Sequence, residues 1–133
     1  MEGQGSPRIF VVFTDRPGTA AALKAASAWA NRLDFQIDLI IPQIVPYPLP
    51  ASSPTVATEF TLRQAFDVAA SAGVEPDVHL YLCRDRLRAL LEVLPAHAVV
   101  VLGSRKRRLL SAVDRLARKL RRQGHFAILA TYR

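Results

Sequence analysis

Two short apolar segments, IFVVF at residues 9–13 and AVVVL at residues 98–102, decide the fold of this chain. All of their residues are apolar and most are β-branched or aromatic, which is typical of strands buried on both faces. Strands of this kind occur in parallel sheets whose two faces are covered by helices. We therefore expect both segments at the centre of one parallel sheet.

The rest of the chain alternates between predicted strands and predicted helices. Apolar or alternating patterns predict three more strands, at residues 35–41, 78–82 and 126–130. Apolar residues at helical spacing predict four helices, at residues 19–33, 55–72, 86–94 and 109–122. This order predicts an α/β fold: a three-layer, doubly wound, parallel five-stranded sheet with helices on both faces. With the two most apolar strands in the middle and the third strand at an edge, the strand order is 3-2-1-4-5.

The composition and the positions of the prolines limit the possible domain organisation. The chain of 133 residues is half apolar and 22% charged, which fits one domain spanning residues 1–133. Five prolines between Pro42 and Pro54 predict a surface loop and disfavour a central strand there. Residues 1–7 are expected to be flexible, and residues 103–105 are expected to form a turn. No apolar stretch is long enough to span a membrane and no signal peptide pattern is present, so we expect a cytoplasmic protein.

The predicted topology points to a site. In the order 3-2-1-4-5 the chain reverses direction between the first and fourth strands, where open α/β sheets bind ligands. Asp15 follows the first strand, and its carboxylate suits a base amine, a ribose hydroxyl or a metal. The basic loop from Gly103 to Arg108 leads into a helix, and such helix starts bind anions. The alternative, that Asp15 only caps the first helix and Gly103 only permits a turn, stays open.

The sequence gives only weak signals for metal binding or nucleophilic catalysis. The histidines His79, His97 and His125 lie on different predicted elements without metal-ligand spacing, so no metal site is expected. Cys83 is the one cysteine, which excludes an internal disulfide. Arg84 and Arg86 follow Cys83 and could lower its pKa, which leaves a Cys/His nucleophile as an alternative, although an ordinary half-buried thiol is favoured. No nucleophile elbow or Walker A motif occurs.

The positive charge is concentrated near the end of the chain. Residues 105–122 hold nine bases and one acid, whereas the remaining residues hold nine bases and ten acids. The outer face of the last helix would carry a basic patch, formed by Arg108, Arg115, Arg118, Lys119 and Arg122. Such a patch could hold nucleic acid, an anionic membrane surface or an acidic partner. Because no aromatic residues are interleaved with the bases, a solvated arginine-rich face is the favoured interpretation.

The apolar pattern of the last predicted strand indicates that the chain forms an oligomer. It is apolar but lies at an edge of the predicted sheet, where an unpaired apolar strand invites pairing with another chain. A second copy across a two-fold axis covers such an edge most simply. We therefore predict a homodimer whose interface is formed by Phe126, Ala127, Ile128, Leu129 and Ala130.

Several of these features together resemble the universal stress protein family. They are the strand order, Asp15 after the first strand, the proline-rich loop, and the Cys83-Arg84-Asp85 segment followed by a strand that runs into Gly103-Ser104-Arg105. The resemblance spans nearly the whole chain. It implies dimerisation through the fifth strand and, in one branch of the family, ATP binding at the switch point. The positions that correspond to a nucleotide site are Thr14, Asp15, Ile41, Gly103, Ser104, Arg105, Lys106 and Ser111.

The ATP-binding pattern of that branch, G-x2-G-x9-G-[ST], is incomplete in this chain. Gly103 matches its first glycine, but Lys106 replaces the second, and no Gly-Ser or Gly-Thr follows. Glycines in such loops let backbone amides approach phosphates, so their loss predicts weak ATP binding. We expect a non-catalytic binding or interaction module in stress response or signalling, without a tightly bound cofactor. A nucleotide-binding sensor for ATP or AMP, and a binder of anionic partners through the basic helix, are the alternatives.

Overall fold

The computed structural model describes residues 7–45, 56–105 and 111–132. The five strands are β1 (Arg8–Val12), β2 (Gln36–Ile44), β3 (Asp77–Cys83), β4 (Val99–Arg105) and β5 (Phe126–Tyr132). The four helices are α1 (Arg16–Leu33), α2 (Val56–Ala72), α3 (Arg86–Val93) and α4 (Ala112–Arg122). The predicted frayed segment, except Pro7, lies outside the described residues, as does most of the proline-rich loop. None of the described helices combines the length and apolar composition needed to cross a bilayer.

The strands form one parallel sheet in the order β3-β2-β1-β4-β5, which confirms the predicted fold class and strand order. The two apolar segments that predicted the fold lie in β1 and β4, which are paired at the centre of the sheet. Val11, Val12, Val100 and Val101 in these strands are completely buried. Strands that are apolar on both faces require a helical layer on each side, and both layers are present.

The two faces of the sheet support separate apolar cores. On one face, Leu23 and Ala26 of α1 and Ala65 of α2 pack with residues of β1, β2 and β4. On the other face, Leu90 of α3 and Leu120 of α4 pack with the alternate residues of the same strands. The chain is therefore a three-layer α/β/α structure, and its helices are placed by the period-two alternation of the strands.

β2 runs further than predicted and contains a proline. Pro42 pairs in register with Tyr81 of β3, although the sequence disfavoured a strand at that position. The Ile40 carbonyl accepts a hydrogen bond from the Phe13 N–H, so Ile40 and Pro42, two residues later, turn their backbones towards β1. The pairing of β1 with β2 ends at Val12. The missing N–H of Pro42 therefore faces a side where there is no strand left to pair with.

β4 also continues beyond its predicted end, and this corrects the predicted turn. Gly103, Ser104 and Arg105 are strand residues, which pair in register with Ala130, Thr131 and Tyr132 of β5. The helix predicted from residue 109 begins at Ala112 in the structure. Residues 106–110 lie outside the described residues. Because β5 is itself longer than predicted, it supplies the hydrogen-bonding partners that keep the Gly-Ser-Arg segment extended.

Candidate functional site at the switch point

The carboxyl ends of β1 and β4 lie side by side where the chain changes direction. The residues that follow these two strands lead to the beginnings of α1 and α4, so both helix starts lie at this edge of the sheet. A cavity of about 240 Å³ opens there. It is lined by Asp15, Gly103, Arg105, Ser111, Ala112, Val113 and Tyr132.

Asp15 caps α1, in agreement with the alternative in which its role is to cap the first helix. Its Oδ1 accepts a hydrogen bond from the Gly18 N–H at 2.7 Å, and its backbone is extended, as expected at an N-cap. The hydroxyl of Tyr132 donates to the other oxygen, Oδ2, at 3.4 Å. Both carboxylate oxygens therefore have partners within the chain, although the side chain remains exposed to solvent.

Gly103 is required by packing between β4 and α1. A Cβ atom on Gly103 would overlap the backbone of Gly18, so the two glycines are in backbone-to-backbone contact. Gly103 does not have the positive φ that Gly73 and Gly124 show, so it is neither a turn residue nor strained. The presence of Gly103 is therefore explained by close approach of a strand and a helix, without a ligand.

The start of α4 already holds an anion from the chain itself. Asp114 Oδ1 accepts a hydrogen bond from the Ser104 hydroxyl at 2.7 Å, and its Oδ2 accepts one from the Ser111 N–H at 3.2 Å. In return the Ser111 hydroxyl accepts from the Asp114 N–H at 3.1 Å, which completes a capping box. The Asp114 carboxylate thus occupies hydrogen-bond donors that a phosphate at this helix end would use.

The charge of Asp114 is stabilised by these contacts. The hydrogen bond from Ser104 is the largest cause that lowers the pKa of the Asp114 carboxyl, with smaller contributions from Ser111 and the positive charge of Arg118. Partial burial acts in the opposite direction and does not prevail. The contacts of Asp114 therefore favour its ionised form at this edge of the sheet, where the side chains of Asp15 and Arg105 also line the cavity.

This lowered pKa predicts a specific loss of stability in acid. The unfolded chain binds a proton at Asp114 at a higher pH than the folded chain does, so acid favours unfolding. The contribution is complete above the ordinary carboxyl pKa of 3.8 and is lost as the pH falls through the lower folded value. We expect the free energy of unfolding of Asp114→Asn to fall less steeply below about pH 4 than that of the wild type. Urea denaturation at several pH values checks this, and parallel curves would contradict it.

The remaining positions implied by the resemblance lie around this cavity, within the core or outside the described residues. Thr14 follows β1, and its hydroxyl oxygen is buried without a hydrogen-bond partner, the one such side-chain atom among the described residues. Ile41 is only 1% exposed and packs in the core between the sheet and α1. Ser104 reaches the site through its bond to Asp114. Lys106 lies outside the described residues.

Sequence reasoning missed two residues of the site. Asp114 had a local signal, because Ser111 followed three residues later by an acidic side chain is the pattern of a capping box. Tyr132 had no such signal. It reaches Asp15, 117 positions earlier in the chain, only because β5 continues in register with the end of β4.

The three histidines are engaged separately in structural contacts. His79 Nε2 lies 3.2 Å from the buried Asp38 carboxylate, which also receives a hydrogen bond from Arg8 at 2.8 Å. His97 Nδ1 lies 3.1 Å from the Gly124 carbonyl, and His125 Nδ1 accepts from a backbone N–H. Within residues 7–45, 56–105 and 111–132, no group of histidine, cysteine and acidic side chains is placed to hold a metal.

The pKa of the Cys83 thiol is raised, so the lowering that neighbouring arginines could cause does not prevail. Burial is the main cause that raises the pKa of this thiol, and the negative charge of Asp85 adds to it. Arg86 acts in the opposite direction but does not prevail, and Arg84 donates to the Val45 carbonyl at 2.6 Å. The thiol itself contacts the Gln43 carbonyl at 3.6 Å. Cys83 therefore behaves as an ordinary half-buried thiol.

Cys83 is accordingly expected to react slowly with thiol reagents. At pH 7.5 we expect its alkylation by iodoacetamide to be at least about tenfold slower than that of a free cysteine, because the thiolate is scarce and half-covered. The rate should rise with a midpoint above the ordinary thiol value of 9.0. Mass spectrometry of timed samples measures it, with the unfolded protein in guanidinium as the control. A midpoint below neutral pH would contradict the assignment.

Two surfaces outside the cavity were also predicted. Arg115, Arg118, Lys119 and Arg122 are exposed on α4, while Arg108 lies outside the described residues. β5 forms one edge of the described sheet, and Phe126 at its start is 60% exposed. Ala127 is buried against α3 and α4, whereas Ile128, Leu129 and Ala130 are partly exposed.

Comparison with known proteins identifies the fold. No protein-family model matches the sequence, and no curated protein matches it significantly. Among solved structures, a universal stress protein from Archaeoglobus fulgidus matches with a TM-score of 0.62 at 19% identity, covering 96% of each chain. The universal stress protein from the same organism in complex with dAMP matches with a TM-score of 0.58 at 16% identity, covering 94% of this chain and 97% of that one. A universal stress protein in complex with cAMP matches with a TM-score of 0.52 at 16% identity, covering 97% and 98%.

These likenesses run over nearly the full length of each chain and agree with the strand order of the sheet. The protein is therefore an α/β protein with the universal stress protein fold, as the sequence resemblance implied.

Proposed function

We propose that this chain is a non-catalytic binding or interaction module that acts in stress response or signalling in the cytoplasm as a single domain. We propose further that it holds ATP weakly at most. One observation carries the second statement: the Asp114 carboxylate occupies the Ser104 hydroxyl and the Ser111 N–H at the start of α4. A phosphate at this position would have to displace a carboxylate whose charge the site stabilises.

The other features of the cavity support the same proposal. Gly103 is accounted for by its contact with Gly18, and Asp15 by its cap on α1 and its contact with Tyr132. A volume of about 240 Å³ is also below the range of about 300 to 1,000 Å³ that is usual for small-molecule sites.

A nucleotide-binding sensor is the second candidate, and two observations favour it. Universal stress proteins with this fold have been solved in complex with dAMP and with cAMP. In this chain, the unpartnered hydroxyl oxygen of Thr14 lies just after β1 and close to Gly18, and Thr14 is followed directly by Asp15, which lines the cavity. Thr14, Asp15, Ile41, Gly103, Ser104, Arg105, Lys106 and Ser111 would then be the positions to examine for contacts with the nucleotide.

Native mass spectrometry of freshly purified protein separates the two candidates. For the binding module we expect the mass of the polypeptide alone, both with and without added AMP or ATP at about ten micromolar. A one-to-one complex that survives purification would favour the sensor. The same spectra report the number of copies in the assembly.

We also propose that the chain forms a homodimer through the exposed edge of β5. The edge strand offers unpaired backbone groups, and Phe126 adds an apolar side chain that is 60% exposed. Antiparallel pairing of two β5 strands would satisfy these groups across a two-fold axis.

The dimer predicts different effects for two equally exposed phenylalanines. Phe126→Glu is expected to yield a monomer, because each copy would place a charged side chain in an interface that is otherwise apolar. Phe60→Glu on α2 is the matched control, since Phe60 is 61% exposed and lies away from β5. We expect the wild type and Phe60→Glu to have twice the mass of the chain by light scattering at about 50 micromolar. A wild type that is monomeric at that concentration would refute the dimer.

A further inference from the structure

The outer side of α4 carries its bases in one stripe. At 3.6 residues per turn, Arg115, Arg118, Lys119 and Arg122 fall within an arc of about 100°, and all four are exposed. The opposite side of the helix is formed by Leu116 and Leu120, which are 6% and 0% exposed. We propose that this basic stripe binds the phosphate backbone of a nucleic-acid duplex without reading its sequence. The proposal does not depend on the switch-point cavity.

The stripe is presented on a rigid support. The capping box of Ser111 and Asp114 holds the first turn of α4, and its apolar side is part of the core. Near its end, Arg121 donates from Nε to the Ala127 carbonyl at 2.9 Å, which attaches the last turn to β5. Little conformational entropy of the backbone is therefore lost when the stripe binds a ligand, which favours affinity.

The dimensions of the stripe match a duplex. With a rise of 1.5 Å per residue, the Cα atoms of Arg115 and Arg122 lie about 10 Å apart along the helix axis. One strand of a duplex presents a phosphate charge about every 3.4 Å along its axis, so the stripe spans about three phosphates. Three of the four bases are arginines, whose planar guanidinium groups suit phosphate oxygens.

The helices that form this surface carry more bases than acids. Asp114 is the one acid in α4, and its carboxylate is directed to Ser104 and Ser111, although it also senses the charge of Arg118. The adjacent helix, α3, carries two bases, Arg86 and Arg88, and one acid, Glu92. The surface formed by the two helices therefore keeps a positive potential.

A duplex fits this surface better than a bilayer or a single strand. The apolar residues of α4 are used in the core, so the helix has no apolar face to insert between lipids. α4 also contains no aromatic side chain on which unpaired bases would stack. The remaining interaction is with regularly spaced phosphates.

The test is the salt dependence of binding to a fluorescent duplex. We expect binding of a DNA duplex of roughly 20 base pairs with a slope of log affinity against log salt of about −2.7 to −3.6, for three to four phosphate contacts. Between about 50 and 200 mM KCl the affinity should fall roughly 40- to 150-fold. Fluorescence polarisation measures both values.

Two variants with the same net charge locate the contact. Arg118→Ala with Arg122→Ala is expected to reduce the magnitude of the slope by about 2. Lys24→Ala with Arg63→Ala removes two exposed bases from α1 and α2, on the other face of the sheet, and should leave the slope unchanged. Circular dichroism confirms that both variants are folded.

Three results would overturn the proposal. The first is the absence of any polarisation change at about 50 mM salt. The second is an equal loss of the salt slope in the two variants. The third is binding to vesicles rich in phosphatidylserine, or to polyglutamate, without binding to the duplex. Equal losses would show that net charge, and not the stripe, is responsible.

Discussion

Replacing Gly103 by alanine is expected to destabilise the protein by about 3 kcal/mol, the upper end of the usual cost of overpacking. The added Cβ would overlap the Gly18 backbone. Neither the Cβ nor that backbone can move by rotation of a side chain, so the clash remains unless the backbones shift. β4 and the first turn of α1 would have to move apart. Because whole domains are stable by only about 5 to 15 kcal/mol, chemical denaturation should detect this loss easily.

Gly18→Ala is the graded comparison for this result. A Cβ on Gly18 would lie 2.7 Å from both Asp15 Oδ1 and Thr14 Oγ1, and 3.3 Å from the Gly103 carbonyl. Two of these three neighbours are side-chain atoms that can shift, so we expect a smaller loss than for Gly103→Ala. If Gly103→Ala were as stable as the wild type, the close packing of β4 on α1 would be wrong, and the presence of Gly103 would need another explanation.

Removing the Asp114 side chain is expected to increase the affinity for ATP by at least about tenfold, which corresponds to 1.4 kcal/mol. In Asp114→Ala the Ser104 hydroxyl and the Ser111 N–H become available, and the repulsion between a carboxylate and phosphates disappears. The rise in Tm on addition of magnesium ATP measures the gain. A ligand that binds only the folded state stabilises it, and at a fixed ligand concentration the stabilisation increases as the Kd falls.

Two further variants make this result specific. Asp114→Asn removes the charge and keeps the shape, so an intermediate gain is expected. Asp67→Ala on α2 removes an exposed carboxylate from the opposite layer and should leave the response to ATP unchanged. Asp114→Ala also loses its part of the capping box, at a cost of about 1 kcal/mol, so each Tm is compared with that of the same variant without ATP. If Asp114→Ala shows no gain, Asp114 is not what excludes ATP.

The architecture could be predicted from the sequence because it depends on local patterns. The apolar segments of β1 and β4 require helices on both faces, and the less apolar β3 belongs at an edge. The end of β4 could not be predicted in this way. Gly103-Ser104-Arg105 has the composition of a turn, and it stays extended only because Thr131 and Tyr132 pair beside it.

The topology indicated where a cavity lies, but the contacts of the residues around it were harder to predict. Topology alone pointed to the ends of β1 and β4, where the cavity lies. The packing of Gly103 against Gly18 joins residues 85 positions apart, which no local pattern reports. The role of Asp114 depends on Ser104 of β4, so the local capping-box pattern, which was overlooked, could have indicated the cap but not the occupied anion position.

Calorimetric titration of magnesium ATP into the wild-type protein tests most directly whether the Asp114 carboxylate takes the place of a phosphate. We predict no saturable heat of binding up to about 1 mM ATP at pH 7.5, which corresponds to less than about 4 kcal/mol of binding free energy. Stoichiometric binding with a micromolar Kd would contradict this, because it would require phosphates at the start of α4 beside an ionised Asp114.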